Sequence, residues 1–300
     1  MIFSPEPSHL KPPAKTQNSS WPRVITAAIL LPVLIASILL SWLPLIFIVL
    51  AAAAMVLGLY EFYFLARQRG IKPNIAAGYL AAGALFTVFA FTEPGKTTDL
   101  DMVQLILIIL TIGVLVAGSI KGPPFDQIIA NTGSTILGVL YVVLLGGHLV
   151  AVRTGFQPKL STHLLGFFFL VIMGADVAAY YVGRAVGKHK LAPNISPGKT
   201  WEGVIGGVVG AVAMALLSHY WFFRDFPLKW SLPLAVVMTV LGVFGDLTES
   251  VLKRSAGAKD AAKILPGHGG LLDRLDSLLF NAPLIYYFGK LYFEHLFLGS

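Results

Sequence analysis

The sequence predicts an all-α, polytopic integral membrane protein with about nine transmembrane helices. Composition and patterning carry that prediction. Hydrophobic residues make up 56% of the 300 residues and charged residues 12%, against roughly 25% charged in soluble domains. The mean hydropathy is +0.77, and a soluble core of this length could not hide so much apolar surface. The apolar residues also gather into runs of about 20, the length a helix needs to cross the hydrocarbon layer. Cysteine is absent, which excludes a disulfide framework, cysteine-ligated zinc and iron–sulfur clusters. Any metal must then be held by carboxylates, histidine or backbone oxygens, a donor set that favours hard cations such as Mg2+.

Residues 1–22 are rich in Pro and Ser and show no apolar face, so a disordered tail is expected there. The next run, 23–43, continues at spanning length past Pro32 with no small-residue cleavage site, which favours a retained first span over a removed leader. Only "SWLP" separates it from the run at 44–66, so these two should form a tight hairpin. Further spans are expected at 75–92, 101–120, 128–152, 162–182, 203–223, 231–249 and 277–298. The glycines of "GVIGGVVGAVAMA" (203–215) let helices approach closely. Trp21, Trp42, Trp221 and Trp230 lie at span ends and read as interface anchors. The chain divides into N-terminal transmembrane helices (23–160) and a C-terminal transmembrane region (161–300) with polar loops at 183–202 and 250–276, where any catalytic chemistry is expected.

Orientation follows from the basic residues. With the N-terminus in the cytoplasm, 16 of the 22 lysines and arginines fall on the cytoplasmic side, both polar loops included.

Acidic residues in or beside spans are costly and are functional candidates by default. Glu61, Asp176, the pair Asp246/Glu249 and the pair Asp273/Asp276 qualify. Asp273 and Asp276 are three apart, so a helix puts them on one face, and Asp246 ends the preceding span and can meet them across a helix contact. Either the three form an oxygen-ligand site for a divalent cation, or they pair with Arg274, Lys253 and Arg254 at a solvated membrane border. The basic residues between them suit a polyanion bridged by metal; alternatively the lysines bind anionic lipid headgroups. Gly267, Gly269 and Gly270 allow a sharp turn or a close approach to ligand. His268 reads as a turn-stabilising or phosphate-contacting residue rather than a general base. In "NISPGKTWEG" (194–203), Ser196, Lys199 and Thr200 have groups suited to phosphate, with Gly198 keeping the backbone open. A P-loop is excluded because position 193 is Pro. For Thr200 a helix N-cap, with Glu202 or Gly203 following, is the stronger reading. Asp176 and Tyr180 are four apart and share a face, lining the site or packing helices.

The run "SVLKRSAGAKDAAKILPGHGGLLDRLD" (250–276) resembles the signature of the bacterial phosphatidate cytidylyltransferases, also called CDP-diacylglycerol synthases. The order Ser, Lys-Arg, Lys-Asp, Pro-x-His-Gly-Gly and Asp-Arg-x-Asp is preserved. The segment "DVAAYYVGRAVGKHKLAPNISPGKTWEG" (176–203) is similar to a second block of that family, while the N-terminal half resembles it only in hydropathy and "YEFY" (60–63). One departure is Gly198, where the family usually has lysine, so that either one phosphate-binding charge is missing or Lys199 carries that task alone.

The resemblance implies the reaction CTP + phosphatidic acid → CDP-diacylglycerol + pyrophosphate. It implies a homodimeric enzyme of the bacterial inner membrane, requiring Mg2+ and a second, monovalent cation such as K+. Asp246, Asp273 and Asp276 match its metal-binding carboxylates. Lys253, Arg254, Lys259, Asp260, His268 and Arg274 fall in its catalytic signature, and Asp176, Tyr180, Ser196, Lys199, Thr200, Glu202, Gly269 and Gly270 in its substrate-binding positions. Nucleic acid is not an expected partner. Three rival readings are a CTP-dependent polyprenol-type lipid kinase, an ion transporter with midplane acids, and a non-catalytic lipid-binding scaffold.

Overall fold

In the computed structural model the structure describes residues 32–40, 44–120, 122, 125–258 and 270–294. It is a helical bundle, as expected. Helix α1 covers 32–39, followed by α2 (Pro44–Gln68), α3 (Ile75–Ala90) and α4 (Leu100–Ile120). Helix α5 (Ile128–Gly138) continues through a π-helical turn (Val139–Leu144) into α6 (Leu145–Thr154), and α7 is Pro158–Val186. Helices α8 (Trp201–Trp221), α9 (Leu228–Ser255) and α10 (Leu272–Phe293) complete the bundle.

Six helices among the described residues are long and apolar enough to cross a membrane, with α5, the π turn and α6 acting as one. The other three expected spans differ. The run at 23–43 lies largely outside the described residues, and α3 has only 16 residues. Helix α10 is long enough but carries Asp273, Arg274, Asp276 and Lys290. The polar loop 183–202 is not entirely irregular: β1 (Lys190–Ala192) and β2 (Ser196–Thr200) form an antiparallel hairpin, pairing Lys190 with Thr200 and Ala192 with Ser196. Trp221 and Trp230, at the end of α8 and near the start of α9, are exposed, as interface anchors should be.

Glycine sets the helix spacing. A Cβ on Gly206 or Gly210 of α8 would lie 2.5 Å from the Cβ of Val182 or Ala178 on α7. These two helices therefore touch nearly backbone to backbone, which small residues permit. The π turn and α6 run through the centre, where Val142, Val143, Val150 and Ala151 are fully buried. Around them Leu59 of α2, Leu85 of α3, Leu164 of α7 and Ile285 of α10 close one continuous core. The sequence's two regions therefore share a single packed interior.

Cations close two helix C-termini at one end of the bundle. Buried Arg153 donates to the carbonyls of Ile38, in the last turn of α1, and Leu40, just after it. Buried Lys290 donates to the carbonyl of Gly155 after α6 and pairs with Glu294. Both placements favour the negative end of a helix dipole. The opposite end gathers the ends of α2, α7 and α9, the starts of α8 and α10, and the β-hairpin. The candidate site lies there.

Candidate active site

The site begins with a helix crossing. Gly242 and Gly245 lie one turn apart on α9 and face α10. A Cβ on Gly245 would come within 2.5 Å of the Asp276 carbonyl oxygen. Asn281 locks the crossing by donating to the carbonyls of Met238 (3.0 Å) and Ser277 (2.9 Å), and the Ser277 hydroxyl donates to Gly242. This contact carries Asp246, next to Gly245, up to Asp276. Asp276 is buried, with one carboxylate oxygen accepting from the Ser277 amide at 2.6 Å.

Two ion-pair sets flank the crossing. Lys253 stands one turn from Glu249 on α9 and reaches across to α10, with its ammonium 2.6 Å from both Glu249 and Asp273. The other Asp273 oxygen accepts from the Gly270 amide. In the second set, Lys199 on β2 pairs with Asp246 at 2.6 Å. Asp246, Asp276, Asp176 and Lys199 all lie within electrostatic range of one another.

The β-hairpin is anchored so that Lys199 can make this reach. The Thr200 hydroxyl caps α8 by accepting from the Gly203 amide at 3.1 Å. Gly183, Gly187 and Gly203 leave room around that hydroxyl, and a Cβ on Gly183 would sit 3.1 Å from it. Glu202, in the first turn of α8, accepts from both the backbone N–H and the ring of His189, at 3.2 and 2.6 Å.

Helix α2 fixes both neighbouring helix ends. Glu61 is fully buried and accepts from the amides of Leu271 (2.8 Å) and Leu272 (2.6 Å) at the start of α10. A carboxylate here satisfies two orphan amides and complements the helix dipole. Just beyond α2, Arg69 donates to the Ser255 carbonyl at the end of α9, at 2.6 Å.

This geometry brings some of the expected residues together and sets others apart. The three aspartates do not share one grouping: Asp273 is held by Lys253 and Gly270, while Asp246 faces Lys199 and Asp276. Among the described residues, no three His, Cys, Asp or Glu side chains form a group that could hold a metal ion. The donor type does fit a hard cation, because carboxylate oxygens are its usual ligands and the α9/α10 crossing brings Asp246 within electrostatic range of Asp276. Thr200 is buried and caps α8, and Glu202 is bound to His189, so both shape the hairpin. Asp176 and Tyr180 do share the exposed side of α7, where the Tyr180 hydroxyl accepts from Arg184 at 3.2 Å. Ser196 opens β2 across from Ala192, Gly270 is buried beside Asp273, and Arg254 and Arg274 are exposed. Lys259, Asp260, His268 and Gly269 lie outside the described residues.

Glu249 is a candidate in the sequence only as an acid bordering a span, and its i, i+4 spacing to Lys253 is the signal of the shared helix face on which the two pair. Glu61 is a candidate in the sequence only as an acid within a span, because the α10 amides that it caps are more than 200 positions away. Arg69 and the π turn left no pattern to read.

Known proteins share this arrangement of sequence. The model of a family described as the cytidylyltransferase family matches residues 21–292. A protein of Bacillus subtilis named phosphatidate cytidylyltransferase is 31% identical over 271 residues, covering 88% of this chain and 96% of its own. Proteins of the same name from Synechocystis sp. and Brucella suis are 33% identical over 267 residues and 42% identical over 187 residues. Those matches cover 79% and 62% of this chain and 87% and 67% of the relatives.

Proposed function

The chain belongs to the cytidylyltransferase family, and from that premise we propose that it is a phosphatidate cytidylyltransferase of a bacterial membrane. It converts CTP and phosphatidic acid into CDP-diacylglycerol and pyrophosphate. The observation that carries the reading is the α9/α10 crossing, which sets Asp246 and Asp276 together at the end of a membrane-embedded bundle with Lys199 and Lys253 beside them. A water-soluble nucleotide and a lipid headgroup can both reach such a place.

An ionised phosphate oxygen of phosphatidic acid attacks the α-phosphorus of CTP. The new P–O bond forms as the bond to the oxygen bridging the α- and β-phosphates breaks, and pyrophosphate leaves with that electron pair. The nucleophile is already ionised near neutral pH, so alignment and charge neutralisation matter more than a strong base. Lys199 and Lys253 supply ammonium groups to the nucleotide phosphates, with Arg254, Lys259 and Arg274 adding charge for the leaving pyrophosphate. Ser196, Gly269 and Gly270 approach the substrates with hydroxyl or backbone groups, Asp176 and Tyr180 border them from α7, and Asp260 and His268 complete the signature loop. Asp246 and Asp276 would hold Mg2+, with Asp273 adjoining, and the ion would neutralise phosphate charge and polarise the attacked phosphorus. A monovalent cation such as K+ would serve as a second counter-charge.

The purified protein should move label from α-32P-CTP into the lipid phase in the presence of phosphatidic acid and Mg2+. Release of CDP instead would indicate a lipid kinase, and no turnover of CTP would sink the enzymatic reading. The bias of 16 basic residues in 22 supports a cytoplasmic position for loops 183–202 and 250–276. Cysteines introduced at Ser196 and Ser255 should then react with an impermeant maleimide from the cytoplasmic side only, and labelling from outside would reverse the orientation. The enzyme acts as a homodimer, and a monomer mass in mild detergent at full activity would refute that.

A further inference from the structure

Tyr141 lies in the π-helical turn Val139–Leu144, in the middle of the most deeply buried span. Its ring packs against Phe62 of α2 and Phe280 of α10, with centroids 6.1 and 6.3 Å away. Phe280 is one turn further into the bundle than Asp276, on the same face of α10. The residue is only 6% exposed, and its hydroxyl has no hydrogen-bond partner among the described residues. Asp276, Glu249, Asp246 and Asp273 all lie within its electrostatic reach. Other buried tyrosines of the core are satisfied: Tyr63 donates to the Thr135 carbonyl, and Tyr286 accepts from the Thr98 amide.

Two costs coincide at this residue. A buried hydroxyl without a partner is unfavourable, and such a group calls for a physical reason. A π turn is a rare departure from helical geometry that occurs mostly at functional sites. One extra residue in a helix rotates all that follow by about 100° relative to α-helical register, so the turn determines which side chain of 139–144 meets the acids. The surrounding carboxylates can only accept when ionised. The phenol is a neutral O–H donor on the membrane side of this cluster.

We propose that Tyr141 is a substrate-positioning residue whose phenol donates to a phosphate oxygen brought into the acid cluster. This rests on the function proposed above. The oxygen belongs either to the lipid phosphate monoester or to the nucleotide, and kinetics separate the two sources.

The test is Tyr141→Phe, which keeps the ring between Phe62 and Phe280 and deletes only the unpartnered hydroxyl. Its melting temperature in detergent should match or exceed that of the wild type. Loss of a hydrogen bond to a charged oxygen should lower kcat/KM by about 10- to 100-fold. A raised KM for phosphatidic acid alone assigns the lipid phosphate, and a raised KM for CTP alone assigns the nucleotide. Independently of turnover, inorganic pyrophosphate with Mg2+ should stabilise the variant less than the wild type. Tyr63→Phe, which removes a partnered hydroxyl, should lower the melting temperature and leave both KM values and the pyrophosphate response unchanged. Wild-type KM values together with an undiminished pyrophosphate response in Tyr141→Phe would overturn the proposal, as would activity lost only in step with stability. Should the wild type transfer no label to lipid, the function fails, while a pyrophosphate response diminished in Tyr141→Phe would still put the phenol on a phosphate oxygen and an undiminished one would overturn the nucleotide source.

Discussion

Replacing Gly245 with alanine adds one methyl group at the contact that brings Asp246 to Asp276. The new Cβ would lie 2.5 Å from the Asp276 carbonyl oxygen, 3.0 Å from its carbonyl carbon and 3.3 Å from the Ser277 Cα. All three are backbone atoms, so no rotamer change relieves the overlap. Comfortable separations between such atoms are about 3.5 Å, and α9 and α10 must therefore part by on the order of 1 Å. Overpacking of this kind costs about 1–3 kcal/mol of stability. A misplacement near 1 Å in a positioned site costs on the order of 100-fold in rate, or about 2.7 kcal/mol of barrier. Gly242→Ala is the matched control one turn away, because its Cβ would meet Asn281 and Ser277 at an ordinary 3.6 Å. The assay is transfer of label from CTP to lipid, with the melting temperature of each variant measured in the same detergent. We expect Gly245→Ala to fold and lose about two orders of magnitude in turnover, with Gly242→Ala near wild type. Equal activity of the two variants would refute the argument that this crossing sets the spacing of the acids.

Lys199→Ala should severely weaken use of CTP, since Lys199 is the ammonium on Asp246; Gly198→Lys should be tolerated, because a side chain there meets nothing within 4 Å. A dead Gly198→Lys enzyme with normal stability would count against an open hairpin. Glu61→Ala strands the buried amides of Leu271 and Leu272 and should cost about 1–3 kcal/mol, seen as a lower melting temperature; an unchanged value would dismiss the cap. Asp246→Ala and Asp276→Ala should each lose on the order of 1000-fold or more in turnover. Asp276→Glu should also fail, because Mg2+ requires near-octahedral geometry at about 2.1 Å. His268→Ala should lose far less, since the phosphate nucleophile needs no proton removed. A dead His268→Ala beside an active Asp276→Ala with normal metal dependence would replace the carboxylate mechanism with acid–base chemistry.

What could be read in the sequence was whatever depends on neighbours along the chain. Apolar runs of spanning length announced the long helices, and the spacing of Lys253, Asp273 and Asp276 marked the region that carries the charge. Thr200 announced itself as a cap because its partner, the amide of Gly203, is three positions away. The β-hairpin was hidden, since "KLA" and "SPGKT" are too short and too polar to show an alternating pattern. The separation of Asp273 from Asp246 was hidden as well. A three-residue spacing predicts a shared face of α10, but it does not reveal that Lys253 reaches over from α9 to engage only one of the pair. The π turn depends on helix packing rather than on any local residue signal.

The two anchors supplied by α2 and the residue just after it bear on how this protein can be divided or recombined. Glu61 holds the first amides of α10 and Arg69 the last carbonyl of α9, on either side of the signature segment. A fragment beginning at residue 161 would retain every aspartate of the site yet lose both fasteners. A chimaera taking its C-terminal half from a relative inherits the chemistry from one parent and the clasp from the other. Such a hybrid works only where the junction leaves positions 61 and 69 matched to the helix ends they hold, so the boundary that suits an engineer lies before α2, not at the midpoint of the chain.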